Sequence, residues 1–249
     1  MAIKIKTQEE IQTIKEGGKN LATVLKELEK MTKPGITTLE LDRAAEALIL
    51  SMGGKPGFKG YDGFPYSLCA SVNENIVHGY PSNYALKEGD IVGLDLGVLY
   101  KGYNTDMAIT VPVGEVSFEA KRLINITKKS LRLGIKKAKV GNTVGDIGNT
   151  VQRFVEDQGF GVVRDLCGHG IGKNLHEDPK IPNFGKRGGG EKLVEGMVIC
   201  IEPMVTAGDY NLRKSDDGYG YATKDSSLSA HFEHTLAITK KGPIILTEI

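Results

Sequence analysis

Glu88-Gly89-Asp90-Ile91-Val92-Gly93-Leu94-Asp95 has a counterpart in Glu195-Gly196-Met197-Val198-Ile199-Cys200-Ile201-Glu202, at an offset of 107 positions (88 to 195). In each block a turn leads into an aliphatic run that closes on an acid. A second pair keeps nearly the same spacing. Lys33-Pro34-Gly35-Ile36-Thr37-Thr38-Leu39-Glu40-Leu41 matches Lys139-Val140-Gly141-Asn142-Thr143-Val144-Gly145-Asp146-Ile147 at an offset of 106 (33 to 139). Lys-x-Gly-x-Thr alone is common helix-entry chemistry. Two matched blocks at almost one offset point instead to an internal duplication. The expected architecture is α/β, with two helix-plus-sheet halves related by a pseudo-twofold and packed as a single domain over 1–249. The halves are expected at about 1–112 and 113–249.

Working outward, an amphipathic helix is expected over about 8–31, opened by the capping box Thr7-x-x-Glu10. A second begins at Thr37-x-x-Glu40. Strand-like runs follow at about 67–72, 90–99 and 103–111. The order then repeats. A helix over about 118–138 precedes one opened by Thr143-x-x-Asp146, and strand-like runs return near 161–166, 197–206 and 231–239.

Composition is that of an ordinary globular protein, 40% apolar and 25% charged over 249 residues. With 32 basic against 31 acidic residues, no polyanion is called for, and no nucleic-acid partner is expected. Lys136, Lys137 and Lys139 read as a solvated helix end. Met1-Ala2-Ile3-Lys4 opens no apolar signal stretch, and no run is long enough to span a bilayer. Cys69, Cys167 and Cys200 are odd in number, far apart and without a Cys-x-x-Cys pair. Reduced thiols in a cytoplasmic protein are therefore expected, with no disulfide framework and no thiolate zinc site.

The aligned acids Asp95 and Glu202 carry the chemistry. In 91–98, Val92, Leu94, Leu96 and Val98 form one strand face, while Asp95 lies on the other among Ile91, Gly93 and Gly97, which leave room around it. Aspartate is a poor strand former and an unpaired buried carboxylate is costly, so each acid needs an arginine, a lysine or a metal beside it. Asp106 and Glu233 repeat the pattern in the strand-like runs that follow. Taken singly, each acid is as well explained by ordinary ion pairing. Together, four acids two per half converge under a pseudo-twofold and balance two divalent ions, and no Arg or Lys lies inside these strands. His169, in Cys167-Gly168-His169-Gly170-Ile171-Gly172, has glycines on both sides that allow close approach to a ligand. A lone histidine is more often structural than a ligand. Beside carboxylates, however, one imidazole completes a donor set suited to Mn, Fe, Co or Zn. The glycine-rich stretch matches neither a P-loop nor a dinucleotide fingerprint.

These residues resemble type I methionine aminopeptidases. The resemblance rests on Asp95 with Asp106 eleven residues on, Cys-Gly-His-Gly-Ile-Gly around His169, Ile-Glu-Pro-Met around Glu202, and Ser-Ala-His-Phe-Glu-His around Glu233. It runs from Ile5 almost to the C-terminus and is nearest the short bacterial-type form, without an N-terminal zinc-binding extension or a long helical insertion. It implies the pita-bread fold, with central antiparallel sheets flanked by helices, and one catalytic domain. It also implies that Asp95 chelates one metal, that His169 and Glu202 bind the other, and that Asp106 and Glu233 bridge them. The implied activity is dinuclear metal-dependent removal of the initiator methionine from nascent chains and peptides with a small second residue. Two divalent ions (Co, Mn, Fe or Zn) would make hydroxide available near neutral pH, with Glu202 accepting a proton and passing it to the departing amine. His176 would stabilise the oxyanion and His78 would bond the scissile amide nitrogen. Without the resemblance these two loop histidines lean to the surface.

The methionine pocket implied by the resemblance maps to Phe58, Tyr61, Phe64, Cys69 and Tyr219. This chain departs from the family pattern at Leu175, where an aromatic precedes the second histidine, at Tyr219 for tryptophan, and at Phe58, often cysteine. Asn104-Thr105-Asp106-Met107 also differs from the usual Gly-Asp-Thr. Proline-specific relatives normally carry a large N-terminal domain for which this chain has no room. A non-catalytic binding module would be expected to lose ligands. A monomer is expected, and Met1-Ala2 itself fits the substrate rule. Residues 186–191 read as a flexible loop without an assigned role.

Overall fold

A computed structural model describes residues 3–249, so Met1-Ala2, the candidate self-substrate, lies outside the described residues. Among these residues four α-helices form where capping chemistry starts them. Helix α1 spans Gln8–Met31, and Thr7 accepts from the amide of Glu10 while Glu10 returns the bond. Helix α2 spans Thr38–Ser51 and α4 spans Val144–Glu156, each with the same reciprocal box at Thr37/Glu40 and Thr143/Asp146. Helix α3 spans Phe118–Ile135 behind an N-cap at Ser117.

The duplication is visible bond for bond. In the first half Gly35 N–H donates to Leu86 O and Leu86 N–H donates to Ile36 O; in the second, Gly141 and Leu193 exchange the corresponding bonds with Leu193 O and Asn142 O. Isolated bridges pair Thr37 with Ala85 and Thr143 with Lys192. The same offsets found in the letters therefore recur in the backbone. This makes the fold a pita-bread α/β duplication.

At its centre lies a nine-stranded antiparallel sheet. Its path runs from Ile91–Tyr100 through Tyr103–Pro112, Glu233–Thr239, Val198–Ile201 and Gly168–Gly170 to Glu177–Ile181. Leu68–Val72 and Lys55–Pro56 pair with Ile91–Tyr100, and Gly242–Ile245 pairs with Glu233–Thr239. The halves join where Glu233 faces Ala108 and His234 faces Met107. On the first half Leu21, Val24, Leu25 and Leu28 of α1 pack with Leu41 of α2 over Leu94 and Leu96. On the second, Leu131 and Ile147 cover Ile199, Ile201 and Leu236. Each such fully buried aliphatic chain contributes about 1.5–3 kcal/mol, enough to hold a central layer that carries acids.

Several boundaries differ from expectation. Helix α3 stops at Ile135, and Lys136, Lys137 and Lys139 are solvated beyond it. Of 161–166 only Gly161–Val162 is strand. The run 197–206 breaks after Ile201, because Pro203 has no N–H for a ladder. The run 231–239 breaks at Phe232. Ser229–His231 pairs with Met204–Thr206 in a second sheet, while Glu233–Thr239 pairs with Val198–Ile201 in the first. Both segments cross between sheets at one level, which gathers Glu202, His231 and Glu233. Residues 186–191 are pinned to α4, with Gly188 N–H donating to Asp146 and Arg187 to Asn149.

Candidate metal centre and adjoining pocket

Strand register places three of the acids. Asp95 stands opposite Ala108, Asp106 stands opposite Gly97, and Glu233 stands opposite Ala108 from the other side. All three side chains therefore leave one sheet face, with small residues between them. Ligand-capable oxygens of Asp95, Asp106 and Glu233 lie within 4.8 Å of one another. Thr235 fixes the middle strand, accepting from Asp106 N–H and donating to Asp106 O. Glu202 enters from the crossing, its backbone carbonyl held by the Asn183 amide.

His169 Nε2 sits 3.6 Å from Glu202 and 4.0 Å from Asp106. Its Nδ1 lies 2.9 Å from Gly170 O, so that nitrogen carries the hydrogen and Nε2 keeps its lone pair toward the acids. Glycines flank His169 for a reason other than ligand approach. A Cβ at Gly168 would lie 2.3 Å from Cys200 O, and one at Gly170 would lie 2.2 Å from Asp178 O. The room expected at Gly97 is likewise filled, since the Phe58 ring reaches to 2.6 Å of where a Cβ would stand.

Among the described residues, the ion-pair partners of these acids are histidines; no lysine or arginine pairs with them. Asp95 Oδ1, Asp106 Oδ1 and Glu233 Oε1 are buried without a hydrogen-bond partner. Burial first, then mutual repulsion, raises Asp106, Glu202 and Glu233 well above the carboxylate range. Burial lifts Asp95 to about 7 and lowers His169 to about 3. Four acids brought together without a lysine or arginine, with a neutral imidazole beside them, form an oxygen and nitrogen donor set that fits borderline divalent metals.

The acids floor a cavity of about 450 Å³. Phe58, Tyr61, Phe64, Cys69, His78, His176 and Tyr219 all line it, so every residue singled out in the sequence converges here. His176 Nδ1 lies 2.8 Å from the Tyr61 hydroxyl, and its ring meets His169 edge-on at 4.4 Å. His78 is not a surface residue. It is held at φ 59 with its ring between Tyr219 and Tyr221, and burial lowers it to about 4. Leu175 is buried in the apolar cluster with Phe58, Phe64 and Cys69.

Sequence reasoning missed what supports the wall from behind. Tyr80 stacks on Tyr219 at 5.0 Å and meets Phe64 at 5.4 Å. Asp217 braces both tyrosines by accepting from the amides of Tyr80, Tyr219 and Gly220. No local pattern links residues 137 positions apart (80 to 217). His231 was also passed over, although its i, i+2 spacing from Glu233 was a usable signal.

The family model for metallopeptidase family M24 matches residues 12–240. A methionine aminopeptidase of Clostridium perfringens is 51% identical over 245 residues, 98% of both chains. The crystal structure of methionine aminopeptidase from Thermotoga maritima superposes with a TM-score of 0.98 at 44% identity, covering all of both chains. A prolidase from Pyrococcus furiosus reaches a TM-score of 0.80 at 25% identity, covering 98% of this chain and 65% of that one.

Proposed function

This chain belongs to metallopeptidase family M24, and from that premise we propose that it is a dinuclear metal-dependent aminopeptidase that removes the N-terminal methionine from nascent chains and peptides. The observation that carries this is the cluster of buried acids, paired with no lysine or arginine among the described residues, that opens into an apolar, aromatic-walled cavity. Relatives at 51% and 44% identity over nearly their whole length bear the name methionine aminopeptidase. The proline-specific alternative matches at 25%.

Asp95 would hold one metal, His169 and Glu202 the other, and Asp106 and Glu233 would serve both. Two divalent ions of Co, Mn, Fe or Zn held there would supply Lewis acidity, lowering the pKa of water and polarising a carbonyl. Glu202, which lines the cavity beside the other acids, takes the proton of the attacking water and returns it to the leaving amine. His176 faces the developing oxyanion, and His78 orients the scissile amide. Phe58, Tyr61, Phe64, Cys69 and Tyr219 enclose the methionine side chain. The chain acts as one catalytic domain over 1–249 and as a cytoplasmic monomer. Among the described residues no helix is long and apolar enough to cross a membrane.

The Tyr61 hydroxyl, 2.8 Å from His176 Nδ1, holds the tilt of the His176 ring. Tyr61→Phe is expected to lower kcat roughly tenfold with KM within about twofold, as for loss of an orienting hydrogen bond. An unchanged kcat would show that His176 needs no such brace. The reading as a whole is tested by methionine release from Met-Ala-Ser and Met-Lys-Ser by protein stripped and reloaded with Mn or Co. Release from the first peptide alone is expected. Two bound ions with no release from either would leave a binding module.

A further inference from the structure

His231 is buried to 2% exposure, and its Nε2 has no hydrogen-bond partner. That nitrogen lies 3.9 Å from Glu202 Oε2 and 3.8 Å from Glu233 Oε2. Both separations are too long for a hydrogen bond. They suit two donors on one cation, which lie about 3–4 Å apart when each is about 2.0–2.2 Å from the metal. His169, in the five-residue ligand set above, shows the same metric at 3.6 and 4.0 Å. Glu202 thus has a different imidazole beside each oxygen, His169 at Oε1 and His231 at Oε2.

The placement of His231 is fixed by the fold. Its backbone N–H donates to Thr110 Oγ1, and the Thr110 hydroxyl donates to His231 O. It stands opposite Met204 in the second sheet, one residue before the chain crosses to Glu233. The clamp comes from a strand of the first half, so both halves aim this ring at the acids. Ligand-capable atoms of Glu202, His231 and Glu233 lie within 4.8 Å of one another, like those of Asp95, Asp106 and Glu233.

We propose that His231 is a sixth protein donor to the metal centre, binding through Nε2 the ion held by Glu202 and Glu233. The proposal rests on the metallo-aminopeptidase reading for the presence of bound ions, and it adds a second imidazole to that reading. A second nitrogen moves the site's preference toward imidazole-loving Zn and Co and away from Mn. It also makes that metal position the tighter of the two.

The metal-free full chain is titrated with Co, and hyperfine-shifted exchangeable imidazole N–H signals are counted by proton NMR. Two such signals are expected from the wild type and one from His231→Gln. The substitution is expected to weaken Zn and Co binding about tenfold or more while changing Mn by less than about threefold. The wild-type count stands even where the variant folds poorly. A single shifted N–H from wild-type protein carrying two Co ions, or unchanged Zn and Co affinity in a folded variant, overturns the proposal. If that protein still releases methionine, the hydrolase reading survives and His231 alone falls. Absence of any Co binding overturns both.

Discussion

Asp106→Asn is expected to abolish methionine release, by on the order of 10³-fold or more, while raising the Tm of the metal-free protein. Asp106 stands in register between the other acids, and Glu233 and Asp95 both raise its carboxyl after burial has done so. Losing it removes charge from both metal positions at once, so the Lewis acidity on which water activation depends goes with it. In the metal-free state the same carboxyl is a burden, with no lysine or arginine beside it and one oxygen unpartnered. An isosteric amide relieves that crowding, and each kcal/mol gained shifts Tm by about 2–4 °C in a chain of this size. Added Co or Mn should stabilise the wild type more than the variant. Activity in the variant within tenfold of wild type would show that Asp106 is not a shared ligand.

The second large effect is the pH dependence of the metal-free protein. Asp95, Asp106, Glu202 and Glu233 have raised folded-state values. Their contribution is complete below the ordinary carboxylate range and is lost as pH rises through the raised values. Lowered histidines act in the opposite sense. His78 and His234 at about 4, with His169 and His231 at about 3, contribute stability above 6.5 that is lost as pH falls below it. The two sets oppose each other between about pH 4 and 6.5. Above 6.5 the histidine contribution is constant and only the acids still shed protons, so stability falls with rising pH. Each proton retained only by the folded chain makes that slope about 1.4 kcal/mol per pH unit. Thermal melts of chelator-treated protein from pH 6.5 to 8.5 should show it, and metal-loaded protein should not. A flat metal-free profile would mean the acids are already ionised and better solvated than the structure places them.

Much of this was legible in the letters. Duplication left its mark because helix entry and strand entry are local chemistry: the boxes at Thr37 and Thr143 and the turns before Asp95 and Glu202 had to be kept in both halves. Asp95 and Asp106 stood out because acids are expensive in an aliphatic strand. The pocket residues Phe58 and Tyr219 came only through family resemblance, since nothing local separates them from core filling. What escaped was nonlocal. The crossing at Pro203 and Phe232 depends on which sheet each short strand joins, and that choice is made by tertiary pairing. His231 and Tyr80 acquire their places only through it. Gly168 and Gly170 read as room for a ligand, yet they admit the backbones of Cys200 and the segment at Asp178.

The most direct test measures methionine release from Met-Ala-Ser against the number of ions bound per chain, as metal-free protein is titrated with Co or Mn. Release that is absent in the stripped protein and grows as up to two ions bind is the expected result. Full release by protein carrying no metal, or tight binding of two ions with none, would contradict a centre built by Asp95, Asp106, His169, Glu202 and Glu233 for hydrolysis.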